Sequence, residues 1–96
     1  MAELAYFKLN ADQIESEVNK LDGWLVVDDR LSKGFEFASY LEGVEFASKV
    51  GHAAEALNHH PEITLGYRKV FVSVNTHDVD GISPYDFELA RRIEAL

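Results

Sequence analysis

The chain has 96 residues, of which 47% are hydrophobic, with no cysteine and a formal net charge of −8. Its length leaves room for one hydrophobic core, so we expect a single domain over residues 1–96, and the lack of cysteine excludes disulfides, thiolate nucleophiles and cysteine-bound metals. The negative charge argues against direct nucleic-acid binding, because such binding relies on Lys and Arg to displace counterions from phosphates.

The first predicted element is a helix that begins after Asn10 and is stopped by Gly23. Asn10 is a typical N-cap, and Gln13 stands where the second member of a capping box belongs. The apolar face of this helix consists of Ile14, Val18 and Leu21.

A β-hairpin is predicted next. Residues 24–27 form a short apolar run, Asp28-Asp29 is typical of a turn, and the alternation within residues 31–37 indicates a second strand.

A second helix is predicted from a capping box at Ser39 and Glu42 to about Leu57. It should end there because Pro61 follows closely, and proline cannot continue a helical hydrogen-bond ladder. Its buried stripe is predicted to be Tyr40, Val44, Ala47, Val50, Ala54 and Leu57.

Two further strands, residues 63–65 and 70–74, are predicted to form a hairpin around residues 66–68. The last helix starts with Ser83 as N-cap and Pro84 in its first turn, and its buried face is predicted to be Phe87, Ala90 and Ile93. The order α-β-β-α-β-β-α predicts an α+β fold, a four-stranded antiparallel sheet with three helices packed on one face.

The second hairpin brings separate histidines to one place. If its turn is centred near Tyr67, His59 lies level with His77, and His60 is the neighbour of His59. We therefore expect three histidines at one end of the sheet, although the count does not show where each ring points.

Two carboxylates could orient these rings. Glu55 lies near the margin of the second helix's apolar stripe, and Asp86 lies in the first turn of the third helix, where it also fits a capping box with Ser83. A carboxylate bound to one ring nitrogen fixes the tautomer of a histidine, which suits proton transfer. We predict no metal site, because the side chains of the sequence neighbours His59 and His60 tend to diverge.

Residues of the second half form one spaced pattern: Glu55, His59-His60-Pro61, Tyr67, His77 and Asp86. Together with the flanking residues 54–58 and 75–77, this pattern resembles that of the pterin-4a-carbinolamine dehydratases, and the resemblance extends from Trp24 onward. It implies conversion of 4a-hydroxytetrahydrobiopterin, the pterin-4a-carbinolamine, to quinonoid dihydropterin plus water. This step recycles tetrahydrobiopterin after an aromatic amino acid hydroxylase has used it, so that a hydroxylase is an implied partner.

The same resemblance implies that His59 and His77 transfer protons and that His60 holds the pterin and can accept a proton. Substrate-binding or supporting positions would be Glu55, Pro61, Thr76 and Asp86, and neither a metal nor another cofactor is implied. Two positions depart from many relatives, Ile63 in place of Trp and Tyr85 in place of Arg, which bears on substrate packing and side-chain preference.

Animal members of this family also act as dimerisation cofactors of a homeodomain transcription factor. The alternative function is therefore a protein-binding or coactivator module without catalysis. A domain this small, without disulfides, gains stability by self-association, so we expect a homodimer or homotetramer. No apolar run is long enough to span a membrane, and the first eight residues lack a basic segment followed by an apolar one, so we expect a cytoplasmic protein that binds no membrane.

Overall fold

The structure, a computed structural model, describes residues 4–96, so the part of the N-terminal prediction that concerns residues 1–3 lies outside the described residues. The predicted order of helices and strands is confirmed. The elements are α1 (Ala11–Val18), β1 (Leu25–Val27), β2 (Arg30–Glu36), α2 (Tyr40–Leu57), β3 (Glu62–Gly66), β4 (Lys69–Val74), a 3₁₀ turn (His77–Val79) and α3 (Pro84–Glu94).

The four strands form one antiparallel sheet in the order β1-β2-β4-β3. In the first hairpin, Asp28 and Asp29 both have left-handed backbone angles, with φ of 51° and 59°, which a tight two-residue turn requires. In the second hairpin, Gly66 pairs with Lys69, so that the turn consists of Tyr67 and Arg68. Both predicted hairpins are confirmed.

The core lies between the sheet and the helices. Alternate residues of β4 point to the helices and are fully buried, as the sequence pattern predicted: Val70, Val72 and Val74. The predicted face of α3 is also buried, and α2 contributes Val50 and Ala54. The opposite face of the sheet carries Leu25, Val27 and Phe71, which are all exposed. The helices therefore cover one face of the sheet only.

The predicted end of the first helix was wrong by about one turn, because α1 ends at Val18. The amides of Lys20 and Leu21 bond to carbonyls three residues back, so the chain tightens into successive turns before it reaches Gly23. Gly23, with φ of 82°, ends these turns rather than the α-helix.

Helix α2 spans the predicted residues, but the contacts of its first turn and the residue that caps its end differ from the prediction. Tyr40 was predicted to be buried and is 48% exposed, because in the first turn its ring stacks on Tyr67 at the surface. Ser39 Oγ accepts from the Glu42 amide as expected, whereas the Glu42 carboxylate accepts from the amide of Ala38 and not of Ser39.

The helix ends at Leu57 and is capped by Asn58, which adopts a left-handed conformation three residues before Pro61. The cap of α2 is therefore the left-handed Asn58 and not the proline that was predicted to stop the helix. Among residues 4–96, no helix combines the length and the hydropathy that crossing a membrane requires.

Candidate active site

The buried carboxylate of Asp86 organises the candidate site. Asp86 is completely buried, and its Oδ1 lies 2.6 Å from Nε2 of His59. Its Oδ2 accepts hydrogen bonds from the Thr76 hydroxyl at 2.8 Å and from the Ser83 amide at 2.8 Å. The bond from the Ser83 amide belongs to the predicted capping box at the start of α3, so one side chain both caps the helix and contacts a histidine.

The protons of this network can be assigned from its connections. Thr76 has one hydroxyl proton, and it goes to Asp86 Oδ2. The Ser83 hydroxyl lies 2.6 Å from Thr76 Oγ1, so Ser83 donates to Thr76. An ionised carboxylate can only accept, so with Asp86 as the acceptor of the network the Nε2 proton of His59 is assigned to the bond with Oδ1. Nδ1 of His59 is then the ring nitrogen left for chemistry.

The end of α2 places His59 beside this network. Left-handed Asn58 reverses the chain, and the His59 amide bonds to the Ala54 carbonyl at 3.0 Å. His59 is 9% exposed, which leaves the ring at the margin of the core. A histidine held by a buried carboxylate and still reachable from solvent has the arrangement that general acid–base catalysis needs.

His60 has a separate carboxylate partner. Its Nε2 lies 2.7 Å from Oε2 of Glu55, a residue of α2 that stands five positions earlier in the chain. Both side chains are largely exposed, unlike the buried pair of His59 and Asp86. Each of the two neighbouring histidines is thus oriented by one of the two carboxylates that the sequence singled out.

His77 lies at the same end of the β3–β4 pair as the other two histidines. If the observed register of Gly66 with Lys69 is continued beyond the strands, His59 lies opposite Thr76, one residue from the predicted position. Thr76 Oγ1 lies 3.4 Å from His59 Nε2, and His77 follows directly as the first residue of the 3₁₀ turn. The His77 side chain is exposed and makes no hydrogen bond to any part of the chain that the structure describes.

The remaining predicted positions divide between this site and the opposite end of the sheet. Pro61 is half-buried between His60 and β3, and Thr76 belongs to the buried network. Tyr67 lies in the turn at the other end of the hairpin, far along the strands from the histidines, and is 73% exposed. The structure therefore gives Tyr67 no contact with this network within residues 4–96.

The sequence interpretation missed Tyr6 at this site and did not predict that Tyr85 contacts His59. The Tyr85 ring lies against the His59 ring with centroids 5.7 Å apart, and Tyr6 packs edge-on against Tyr85 at 5.3 Å. The contact of Tyr85 with His59 could have been expected, because Tyr85 directly precedes Asp86. Nothing local in the sequence points to Tyr6, because its partners lie near the other end of the chain.

Two other features help to delimit the site. Residues 4–96 contain no group of three or more His, Asp or Glu side chains placed to hold a metal ion. A cleft of about 410 Å³ between α1 and α3 is lined by residues such as Leu9, Phe87 and Arg91, and none of the predicted site residues lines it. The histidines and carboxylates of the candidate site therefore lie at one end of the β3–β4 pair and not in this cleft.

Known proteins that resemble the chain match most of its length. A protein of Natronomonas pharaonis, provisionally named pterin-4-alpha-carbinolamine dehydratase, is 44% identical over 89 residues, which cover 93% of this chain and 95% of that protein. A protein of Sulfurisphaera tokodaii with the same provisional name is 40% identical over 89 residues, covering 93% and 96%.

A solved structure shares the fold. The crystal structure of a transcriptional coactivator/pterin dehydratase from Brucella melitensis superposes with a TM-score of 0.87 at 30% identity, covering 92% of this chain and 96% of that one. The family model described as pterin 4 alpha carbinolamine dehydratase matches residues 7–96. The chain therefore belongs to the pterin 4 alpha carbinolamine dehydratase family.

Proposed function

We propose that this protein is an enzyme, a 4a-hydroxytetrahydrobiopterin dehydratase, and that the ring of His59 held by buried Asp86 is the centre of its catalysis. In this reaction hydroxide leaves C4a of the pterin and a proton leaves a ring nitrogen, which together give water and the quinonoid dihydropterin. The departing oxygen needs an acid, and the ring nitrogen needs a base. No electrons are transferred, so imidazole rings are sufficient for both roles.

The observation that carries this proposal is the 2.6 Å contact between His59 Nε2 and Asp86 Oδ1. It commits Nε2 to the carboxylate and leaves Nδ1 of His59 to exchange a proton with the substrate. His77, exposed one residue beyond Thr76, is the second proton-transfer group of the proposal. In this proposal the acid and base roles belong to the pair and not to one ring each.

We assign His60 to binding of the pterin. Its hydrogen bond to Glu55 holds the His60 ring at the exposed surface beyond the C-terminal end of α2. His60 is also the sequence neighbour of His59. Glu55, Pro61, Thr76 and Asp86 support the histidines, since each contacts or adjoins one of them. In this proposal the substrate is supplied by an aromatic amino acid hydroxylase, and the protein works in the cytoplasm as a homodimer or homotetramer.

The test is dehydration of enzymatically generated carbinolamine by purified variants. His59→Ala and His77→Ala should each slow the reaction by about 10²-fold or more while the far-UV circular dichroism stays unchanged. His52→Ala is the matched control, because His52 is exposed on α2 and makes no side-chain hydrogen bond within the described residues. Wild-type rates in both site variants would contradict the proposal.

The second candidate is a protein-binding or coactivator module. Two observations favour it: the Brucella melitensis relative is called a transcriptional coactivator as well as a dehydratase, and this chain exposes apolar side chains, namely Leu25, Val27, Phe71, Leu41 and Tyr67. Such a module would keep its partner when His59 and His77 are replaced, which a pulldown would measure. Loss of dehydration with retained association would show that the two roles are separate.

A further inference from the structure

The N-terminal segment of residues 6–9 lies along the loop that carries His77. At its inner end, the Leu9 amide donates to the Ile82 carbonyl at 2.8 Å. In the middle, Lys8 crosses Gly81 so closely that a Cβ on Gly81 would be 2.8 Å from Lys8 Cε. At its outer end, the Tyr6 hydroxyl donates to Asp78 Oδ2 at 3.0 Å. The segment thus contacts the loop at three successive points.

The loop itself is short and is closed by backbone bonds. Thr76 and Gly81 pair at its base, with the Thr76 amide 2.8 Å from the Gly81 carbonyl. Inside it, the Val79 amide bonds to the Thr76 carbonyl at 3.1 Å, and the Asp80 amide bonds to the His77 carbonyl at 3.0 Å. Thr76, at the base of the loop, is also bonded to Asp86 and Ser83, whereas the side-chain hydrogen bond that reaches residues 77–81 within the described chain comes from Tyr6.

Tyr6 also contacts the other side of the site. Its ring packs edge-on against Tyr85, and the Tyr85 ring lies against His59. Tyr85 stands directly before Asp86 in the first turn of α3, so its backbone is fixed by the cap of that helix. One side chain therefore joins the His77 loop to the aromatic ring beside His59.

We propose that Tyr6 is a positioning residue of the site, which holds the His77 loop through Asp78 and holds Tyr85 beside His59. The proposal rests on the proposed function where it concerns catalysis, and on the contacts of Tyr6 where it concerns the loop. An opened loop would carry His77 away from His59, so the tether raises the fraction of molecules in which both rings face one substrate. Such an effect changes turnover without any contact between Tyr6 and the pterin.

The tether should persist over the neutral pH range. The hydrogen bond to Asp78 raises the pKa of Tyr6 above its usual 10.0, with smaller contributions from burial and from the charges of Asp78 and Asp86. Because the raised pKa favours the neutral phenol, the bond is fully present below pH 10.0 and is lost as the pH rises through the folded-state pKa.

Tyr6→Phe is the sharpest test, since it removes the hydroxyl and keeps the ring on Tyr85. We expect amide hydrogen exchange of Val79 and Asp80, followed by NMR, to become about three- to tenfold faster, as expected for the loss of one hydrogen bond. The kcat/KM for dehydration should also fall, but by a smaller factor, because it follows the closed fraction of the loop whereas exchange follows the open fraction. Tyr40→Phe is the matched control, because Tyr40 is an exposed tyrosine that stacks on Tyr67 at the other end of the hairpin.

Two double variants separate positioning from general weakening of the fold. Asp78→Ala should reproduce both effects, and Tyr6→Phe should add nothing to it, because both substitutions break one bond. In a His77→Ala background, Tyr6→Phe should cause no further loss of kcat/KM, since the residue that the loop presents is already gone.

Unchanged exchange in Tyr6→Phe would overturn the proposal. Faster exchange with unchanged kcat/KM would overturn the positioning role, since the loop would then move without consequence for turnover. If the wild-type protein does not dehydrate the carbinolamine, the proposed function fails by itself. In that case exchange at Val79 and Asp80 still decides whether Tyr6 holds the loop.

Discussion

Nε2 of His59 lies 2.6 Å from Oδ1 of Asp86, a carboxylate that is fully buried in the cap of α3. The same carboxylate ends a chain of hydroxyl donors that starts at Ser83 and passes through Thr76. One residue therefore couples the stability of a helix start to the tautomer of a histidine.

Asp86→Asn should damage both functions of this carboxylate. An amide has one acceptor oxygen, whereas Asp86 faces donors on both of its oxygens. The NH₂ group must therefore either meet the Thr76 and Ser83 donors or donate to Nε2 of His59, which moves the ring proton to Nδ1. We expect a loss of about 1–3 kcal/mol in the free energy of unfolding. Dehydration should slow by about 10²-fold, because Nε2 of His59 loses its ionic acceptor.

Urea denaturation and the dehydration assay measure these effects of Asp86→Asn. Asp80→Asn is the control, because Asp80 is exposed and left-handed, a conformation that Asn tolerates. Equal behaviour of the two variants would contradict the central role of Asp86.

Thr76→Val should lower the stability of the protein, although the valine side chain has nearly the same shape as that of threonine. The substitution replaces the hydroxyl that donates to Asp86 and accepts from Ser83, so Ser83 is left with an unpaired buried proton. We expect a cost of about 1–3 kcal/mol in urea denaturation. Thr64→Val, at an exposed position of β3, should change stability by much less. Thr76→Ser should recover part of the loss, and if it does not, packing rather than the hydroxyl explains the effect.

Acid should weaken the ion pairs of Glu17 and Glu88, which lie where α1 meets α3. The hydrogen bond from Lys20 chiefly lowers the pKa of Glu17 below 4.5, and the hydrogen bond from Arg92 chiefly lowers that of Glu88. Arg91 contacts both carboxylates and so joins the two helices. Because the folded-state pKa values are depressed, this stabilisation is fully present above pH 4.5 and is lost as the pH falls through the lower folded-state values.

The free energy of unfolding, measured by denaturation curves from pH 7 to pH 3, tests these ion pairs. Glu17→Gln and Glu88→Gln should each remove about 0.2–1 kcal/mol at neutral pH and flatten the acid dependence. Glu15→Gln is the control, since Glu15 is exposed on α1 and forms no ion pair within the described residues. If stability falls with acid as steeply in Glu17→Gln and Glu88→Gln as in the wild type, these ion pairs do not cause the pH dependence.

The same substitution should have opposite effects at two glycines. Gly51 lies inside α2, where an added Cβ would meet no atom within 4 Å, so Gly51→Ala should raise stability by about 0.5–1 kcal/mol through helix propensity. Gly23 has φ of 82°, and a Cβ there would lie 3.0 Å from Lys33 Cε, so Gly23→Ala should lower stability by about 1–2 kcal/mol. Thermal unfolding of the two variants measures both, and a shift of the same sign would contradict the argument.

Local signals in the sequence were sufficient for the order of elements. Asn10 and Ser83 start helices, and Asp28-Asp29 makes a turn, because a cap or a tight turn is decided by a few neighbouring residues. The predicted end of α1 was wrong for a related reason. Before Gly23 the chain changes to hydrogen bonds between residues three apart, and no single residue marks that change. Hairpin counting also placed His59 within one residue of Thr76, whose Oγ1 lies 3.4 Å from His59 Nε2, since strand pairing propagates a register from the turn.

The sequence by itself therefore determined the fold and the end of the sheet at which the histidines lie. Only the tertiary structure decided which carboxylate binds which ring: Asp86 pairs with His59 and Glu55 with His60. It alone brought Tyr6 from the N-terminal segment to Tyr85 and Asp78. The physical reason is that caps, turns and periodicity act between near neighbours, whereas these contacts join residues whose separation along the chain is closed only when the core packs.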